Sequence, residues 1–148
     1  MLETDLYRLV KDAFADVPRP AHFTDPTHCP ECADHDSVLC SKSVETLTIK
    51  DVGNPCWDPI CFISPEGFLY YFPALVRLAL TEKDSLSQFL FHVHYWDHFA
   101  CFSQTQKEIV LQVLHHIFEL YTGELAGNWN AEESLLDELT LWEKIVAL

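Results

Sequence analysis

A mainly α protein, about five helices around a single core with at most a short strand or hairpin near residues 60–72, is what the sequence predicts. Three observations lead there. Apolar residues recur at three- and four-residue intervals, and helix-starting residues stand just ahead of those runs. The chain of 148 residues is also the size of one domain, and its 49% apolar content, with 10 Phe, 5 Tyr and 4 Trp, is ample for one core. With only 4 Gly and no repeat of fixed period, it does not read as a disordered, fibrous or solenoid chain.

In the first segment Leu6, Leu9, Val10, Ala13, Phe14 and Val17 keep helical spacing with charges between them. That predicts an amphipathic helix over about 3–16, ended by Pro18 and Pro20. From Pro18 to Pro30 the prolines remove amide donors and Asp25 and Thr27 suit turns, so the first cysteines begin in a loop. A short helix is expected over 31–42. Thr48 and Asp51 have the spacing of a helix-start cap before the Gly53-Asn54-Pro55 stop.

Residues Ile60 to Ile63 form an apolar run that reads as a buried strand or extended chain. Ser64-Pro65-Glu66 then has the order of a helix start: a hydroxyl to accept an amide, a proline where no donor is needed, and a carboxylate at the positive end of the dipole. This helix is expected to reach about Leu80, with Pro73 placed to kink it. A hairpin turning at Glu66-Gly67 is the competing reading. Ser85 is positioned to cap a helix containing Leu86, Phe89, Leu90 and Val93.

Ser103 and Gln106 form a capping box before Ile109, Val110, Val113, Leu114, Ile117, Phe118 and Tyr121, which predicts a long helix over 104–122 with Gly123 as its stop. Acidic residues at 132 and 133 lead into Leu135, Leu136, Leu139, Trp142, Ile145 and Val146, a closing helix from about Asn130.

The charge balance bounds the partners. With 23 acidic against 9 basic residues the net charge is −14, spread along the chain and therefore a property of the folded surface. Nucleic acids are bound through Lys and Arg that neutralise phosphates and release counterions, so no direct nucleic-acid binding is expected. A basic protein is the expected partner; the bland alternative is that the charge serves solubility. Charges interrupt the apolar residues of the N-terminus, unlike a secretory signal, and no apolar stretch approaches the ~20 residues of a membrane span. The expectation is a cytoplasmic protein with no membrane association. Its 6 cysteines then read as reduced thiols or metal ligands, since a chain with this much core needs no disulfide staples.

Cys29 and Cys32 stand two residues apart, a spacing that lets two thiolates grip one tetrahedral ion from a single turn, and His35 follows at the next equal step. Structural zinc is the natural candidate, with Cys56 as fourth ligand and His28, Cys40 and Cys61 as other donors. Against the metal stands the plainer reading of buried or free thiols plus a histidine near a helix start. A redox use of the pair is disfavoured, because Glu31 and Asp34 are expected to raise a thiol pKa. In the run His92 to His98, His94 and His98 would share a face if one helix continued through both, but the zinc-protease pattern is absent. No nucleophile motif or phosphate-binding Gly-rich loop occurs. The acidic clusters at Glu31, Asp34 and Asp36 and at Glu132, Glu133, Asp137 and Glu138 are either a solvated face or a docking surface.

Four strings occur in one order: Phe23 to His35 around His28-Cys29-Pro30-Glu31-Cys32, Gly53 to Pro59 around Trp57-Asp58-Pro59, Ser64 to Ala74 with Tyr70-Tyr71, and Phe102 to Lys107. Together they resemble an uncharacterised bacterial family of small domains of unknown function, over most of residues 5–120. The resemblance implies a bacterial, cytoplasmic origin and supplies no catalytic residues. The functional expectation is accordingly a non-enzymatic acidic protein-binding factor, of inhibitor or immunity type, with a structural zinc site. A metal-dependent hydrolase using the Cys/His cluster is the alternative.

Overall fold

A computed structural model describes residues 2–54, 57–82, 85–94, 96–125 and 129–148. Its helices are Glu3–Ala13 (α1), Pro30–Cys40 (α2), Ile49–Val52 (α3), Pro65–Thr81 (α4), Leu86–His94 (α5), Gln104–Leu125 (α6) and Trp129–Ala147 (α7). Turns of 3-10 helix occupy Pro59–Phe62 and Trp96–Phe99, and the described residues contain no strand. The mainly α expectation holds, with seven α-helices among the described residues where about five were expected. No helix among the described residues is long and apolar enough to cross a membrane.

Local chemistry accounts for most boundaries. Ser64 accepts the Gly67 amide at 3.0 Å and Pro65 occupies the first turn, so α4 starts where its cap is, which excludes a hairpin at Glu66-Gly67. Residues 60–63 do not extend into a strand: Asp58 accepts the Ile60 amide at 2.9 Å, Pro59 presets a helical φ, and the run coils into the 3-10 turn. Asp51 accepts the Thr48 amide at 2.8 Å, starting α3. It stops at Gly53, where a Cβ would meet the Ile49 carbonyl oxygen at 2.4 Å.

Ser103 and Gln106 exchange the two bonds of a capping box, Gln106 N to Ser103 Oγ at 3.1 Å and Ser103 N to Gln106 Oε1 at 2.9 Å. Beyond that start, α6 runs through Gly123 to Leu125, because one helical glycine costs only about 1 kcal/mol against alanine. Ser85 does not cap α5 as expected. Its hydroxyl donates backwards, to the Leu78 and Glu82 carbonyls at 2.9 and 2.7 Å, and closes the end of α4. The first helix ends at Ala13, short of residue 16.

The centre of the molecule is α4. Apolar positions surround its axis, and Phe68, Tyr71, Phe72, Ala74, Val76 and Ala79 are all fully shielded from solvent. Around it pack α1, α5 and the 3-10 turn at 96–99, while α6 pairs with α7 and also rests on α1. Phe14 and Phe72 meet at 5.3 Å between ring centroids, Phe99 and Trp142 edge to face at 4.7 Å, inside one contiguous core. Two arginines fasten loops to this core. Arg77 donates to the Val44 and Leu47 carbonyls at 2.9 and 2.7 Å, and Arg19 to Tyr70 Oη and the Cys40 carbonyl, both at 2.9 Å. The second contact draws the proline-rich loop onto the end of α2.

Candidate metal centre

The loop reaching α2 is shaped by its own side chains. Asp25 Oδ1 accepts the Thr27 amide at 3.0 Å and hydroxyl at 2.6 Å, and the His28 amide donates to the Asp25 carbonyl at 3.2 Å. This turn delivers His28 and Cys29 to the start of the helix. Cys29 is the N-cap of α2, in the place usually taken by an oxygen-bearing side chain, and its sulfur accepts the Cys32 amide at 3.3 Å. One turn on, Cys32 brings its Sγ to 3.2 Å from that of Cys29, with His28 Nδ1 3.5 Å from Cys32 Sγ. The three ligand atoms lie within 4.8 Å of one another. Cys32 is buried, Cys29 half-buried and His28 exposed.

Those contacts divide the thiols. The Cys32 amide, then the His28 ring and the Cys32 thiol, draw Cys29 down to about 7. Cys32 is pushed up to about 11 by its hydrogen bond to Cys29, by burial, and by the charges of Cys29, Asp25 and Glu31. His28 is raised by its hydrogen bond to Cys29 and by that thiolate's charge. Acidic neighbours therefore raise one thiol, as the sequence suggested, while the other moves down because donors address its sulfur directly.

His35 is not in this group. Its ring is fully buried between Trp57 at 4.2 Å and Phe62 at 4.6 Å, with Glu31 Oε1 3.6 Å from Nε2, and neither ring nitrogen makes a hydrogen bond. Aromatic packing claims the imidazole that equal spacing had assigned to a metal. Cys56 lies outside the described residues. Cys40 and Cys61 each stand in a separate grouping, with His22 and Asp36 and with Asp58 and His92 respectively. Because α5 ends at His94, His94 and His98 do not share a helix; His94 takes Glu138 at 2.5 Å and His98 stacks on Phe68 at 4.6 Å.

The two further groupings are fasteners. Asp36 Oδ1 accepts the Phe23 and Thr24 amides at 2.6 and 3.2 Å, and Oδ2 meets His22 Nδ1 at 2.8 Å. Burial raises its pKa, but the His22 ring and the two amides outweigh burial, and the net shift is downward. Asp58 uses Oδ1 on the Ile60 amide and Oδ2 on both Gln88 Nε2 and His92 Nε2, the last at 2.7 Å. With their oxygens committed, these carboxylates are poor free ligands. One signal for Asp58 was legible, since Asp before Pro is the order of a cap and a first helical position; nothing local marked His92 as its partner.

Set against family models, curated proteins and solved structures, the chain finds no match in any of the three.

Proposed function

We propose that this protein is an acidic protein-binding factor whose His28, Cys29 and Cys32 hold a zinc-class ion. The observation that carries the reading is the convergence of those three donor atoms within 4.8 Å. Two thiolates and an imidazole form a borderline-soft donor set of the kind that selects zinc. At Zn–S bonds of ~2.3 Å, tetrahedral sulfurs stand about 3.8 Å apart, so the pair at 3.2 Å needs to part by about half an ångström. A bound ion would tie the loop at 25–29 to α2. Exposed carboxylates at Asp25, Glu31 and Asp34 near this corner, and at Glu133, Asp137 and Glu143 on α7, offer negative potential to a basic partner. Exposed apolar side chains, Trp57 and Phe62 by the corner and Leu136 on α7, supply anchors within that field.

A native mass spectrum of the reduced protein is expected to show one ion per chain, lost in Cys32→Ser. Capture of a basic protein should weaken steeply between low and physiological salt, since exposed charges are screened over about 8–10 Å there. A chain that takes up no ion, or a complex indifferent to salt, removes the corresponding half of the reading. The hydrolase reading starts from the same three donors, with water in the fourth position of the ion. It requires metal-dependent turnover of an ester or phosphoester that Cys29→Ser abolishes.

A further inference from the structure

We propose that Cys29 and Cys32 also carry out thiol–disulfide exchange with small cationic disulfides, Cys29 attacking and Cys32 resolving, and that closing the bond between them dismantles the metal site. The second half rests on the metal reading above; the exchange does not.

The geometry is that of a pair one step from closure. A disulfide needs its sulfurs ~2.05 Å apart, and here they are 3.2 Å apart on one helical turn, so side-chain rotation closes most of the gap. Access is ordered: Cys29 is half-buried, whereas Cys32 is 6% exposed. An external disulfide therefore meets Cys29 first, and the sulfur best placed to reach the resulting adduct from inside is that of Cys32. The Cys32 amide, aimed at Cys29 Sγ from 3.3 Å, stabilises charge on the attacking sulfur. Pro30, between the two, holds the first turn of the helix in shape.

Atoms balance in two steps. Cys29 thiolate attacks one sulfur of R–S–S–R, the S–S bond breaks, and the departing RS⁻ takes the proton that Cys29 gave up. Cys32 then loses its proton to solvent, and its sulfur attacks Cys29 Sγ. The second RS⁻ leaves and is protonated. Two protein thiols are oxidised to one disulfide, and one small disulfide is reduced to two thiols. Substrate class follows from the surroundings: Asp25 and Glu31 are exposed and their charges act on the pair, so a disulfide carrying amines is drawn in and a polyanionic one repelled.

The test uses the full chain, cystamine as probe and glutathione disulfide as anionic counterpart, with acid quenching, alkylation and peptide mapping. Wild type is expected to end with a Cys29–Cys32 disulfide. Cys32→Ser should stop at a cysteamine adduct on Cys29, and Cys29→Ser should slow exchange in this peptide about tenfold or more. Cystamine should react faster than glutathione disulfide at low salt, the gap narrowing as salt is added. Cysteamine that stays on Cys29 of the wild type, or modification of the exposed Cys40, Cys61 and Cys101 ahead of Cys29, overturns the proposal. The wild-type time course decides this even where a variant fails to fold. After loading with zinc, closure should release the ion to a chromogenic chelator. Exchange without any uptake of zinc sinks the metal reading alone, and an ion-binding pair that never closes sinks the exchange alone.

Discussion

Asp36 and Asp58 are the same device in two settings. Each is a buried carboxylate that accepts backbone amide and imidazole, tying an irregular segment to a helix. The settings differ in what happens to the imidazole: the His22 side chain is 63% exposed, whereas that of His92 is 3% exposed beside a fully buried Asp58. In the Asp36 corner water still solvates the ring, and the adjoining Cys29 and Cys40 thiols stay within reach of solutes while Cys32 is buried. In the Asp58 corner carboxylate and imidazole are buried together, and the Cys61 thiol is the exposed member of that grouping. A buried carboxylate can thus fasten a loop beside reactive side chains without sealing them, and chemistry is to be sought in the wetter corner.

The contrast breaks most readily at its buried end. Asp58→Ala strands the His92 ring and the Ile60 amide in the interior and takes a partner from the half-buried Gln88 amide, and should cost about 3–5 kcal/mol in urea denaturation. An equal loss from Asp36→Ala would erase the distinction, because there the freed ring returns to water; about 1–3 kcal/mol is expected, mainly from the Phe23 and Thr24 amides.

The Asp36 corner also carries a pH signature. Its folded pKa is depressed, so its contribution is fully present above the unfolded value of ~3.9 and disappears as pH falls through the lower folded value. Urea midpoints should decline on that acid limb in the wild type, and less steeply in Asp36→Asn. Reactivity sharpens the comparison further. Cys29, at about 7, should alkylate at neutral pH about tenfold faster than Cys61, whose thiol burial and Asp58 push up. Mass-resolved labelling with iodoacetamide measures the ratio. Smallest of all, His22→Ala should cost under about 1 kcal/mol, since the imidazole is largely exposed and Asp36 keeps its two amide donors; a cost matching that of His92→Ala would mean the His22 ring is not solvated as described.

Much of the helix framework was legible because its signals are local. Ser64-Pro65-Glu66 and Ser103 with Gln106 place cap and amide within three residues, so the chain needs no tertiary partner to start there. Boundaries decided by packing were not legible: α6 passes Gly123, and Ser85 turns back to α4. The site divided along the same line. Cys29 and Cys32 share one turn and announce themselves by spacing, with His28 adjoining. The Asp58 clasp joins residues 34 positions apart, and nothing near either side chain names the other.

By itself, then, the sequence determined an all-α chain with a strongly negative surface and a cysteine pair at a helix start, because periodicity, charge and capping act within a turn or two of the backbone. Tertiary structure alone decided that His35 is packed between Trp57 and Phe62 instead of joining the sulfurs, and that Asp58 meets Gln88 and His92. Ring contacts and buried clasps between remote residues depend on which distant surfaces meet, and no spacing along the chain encodes that.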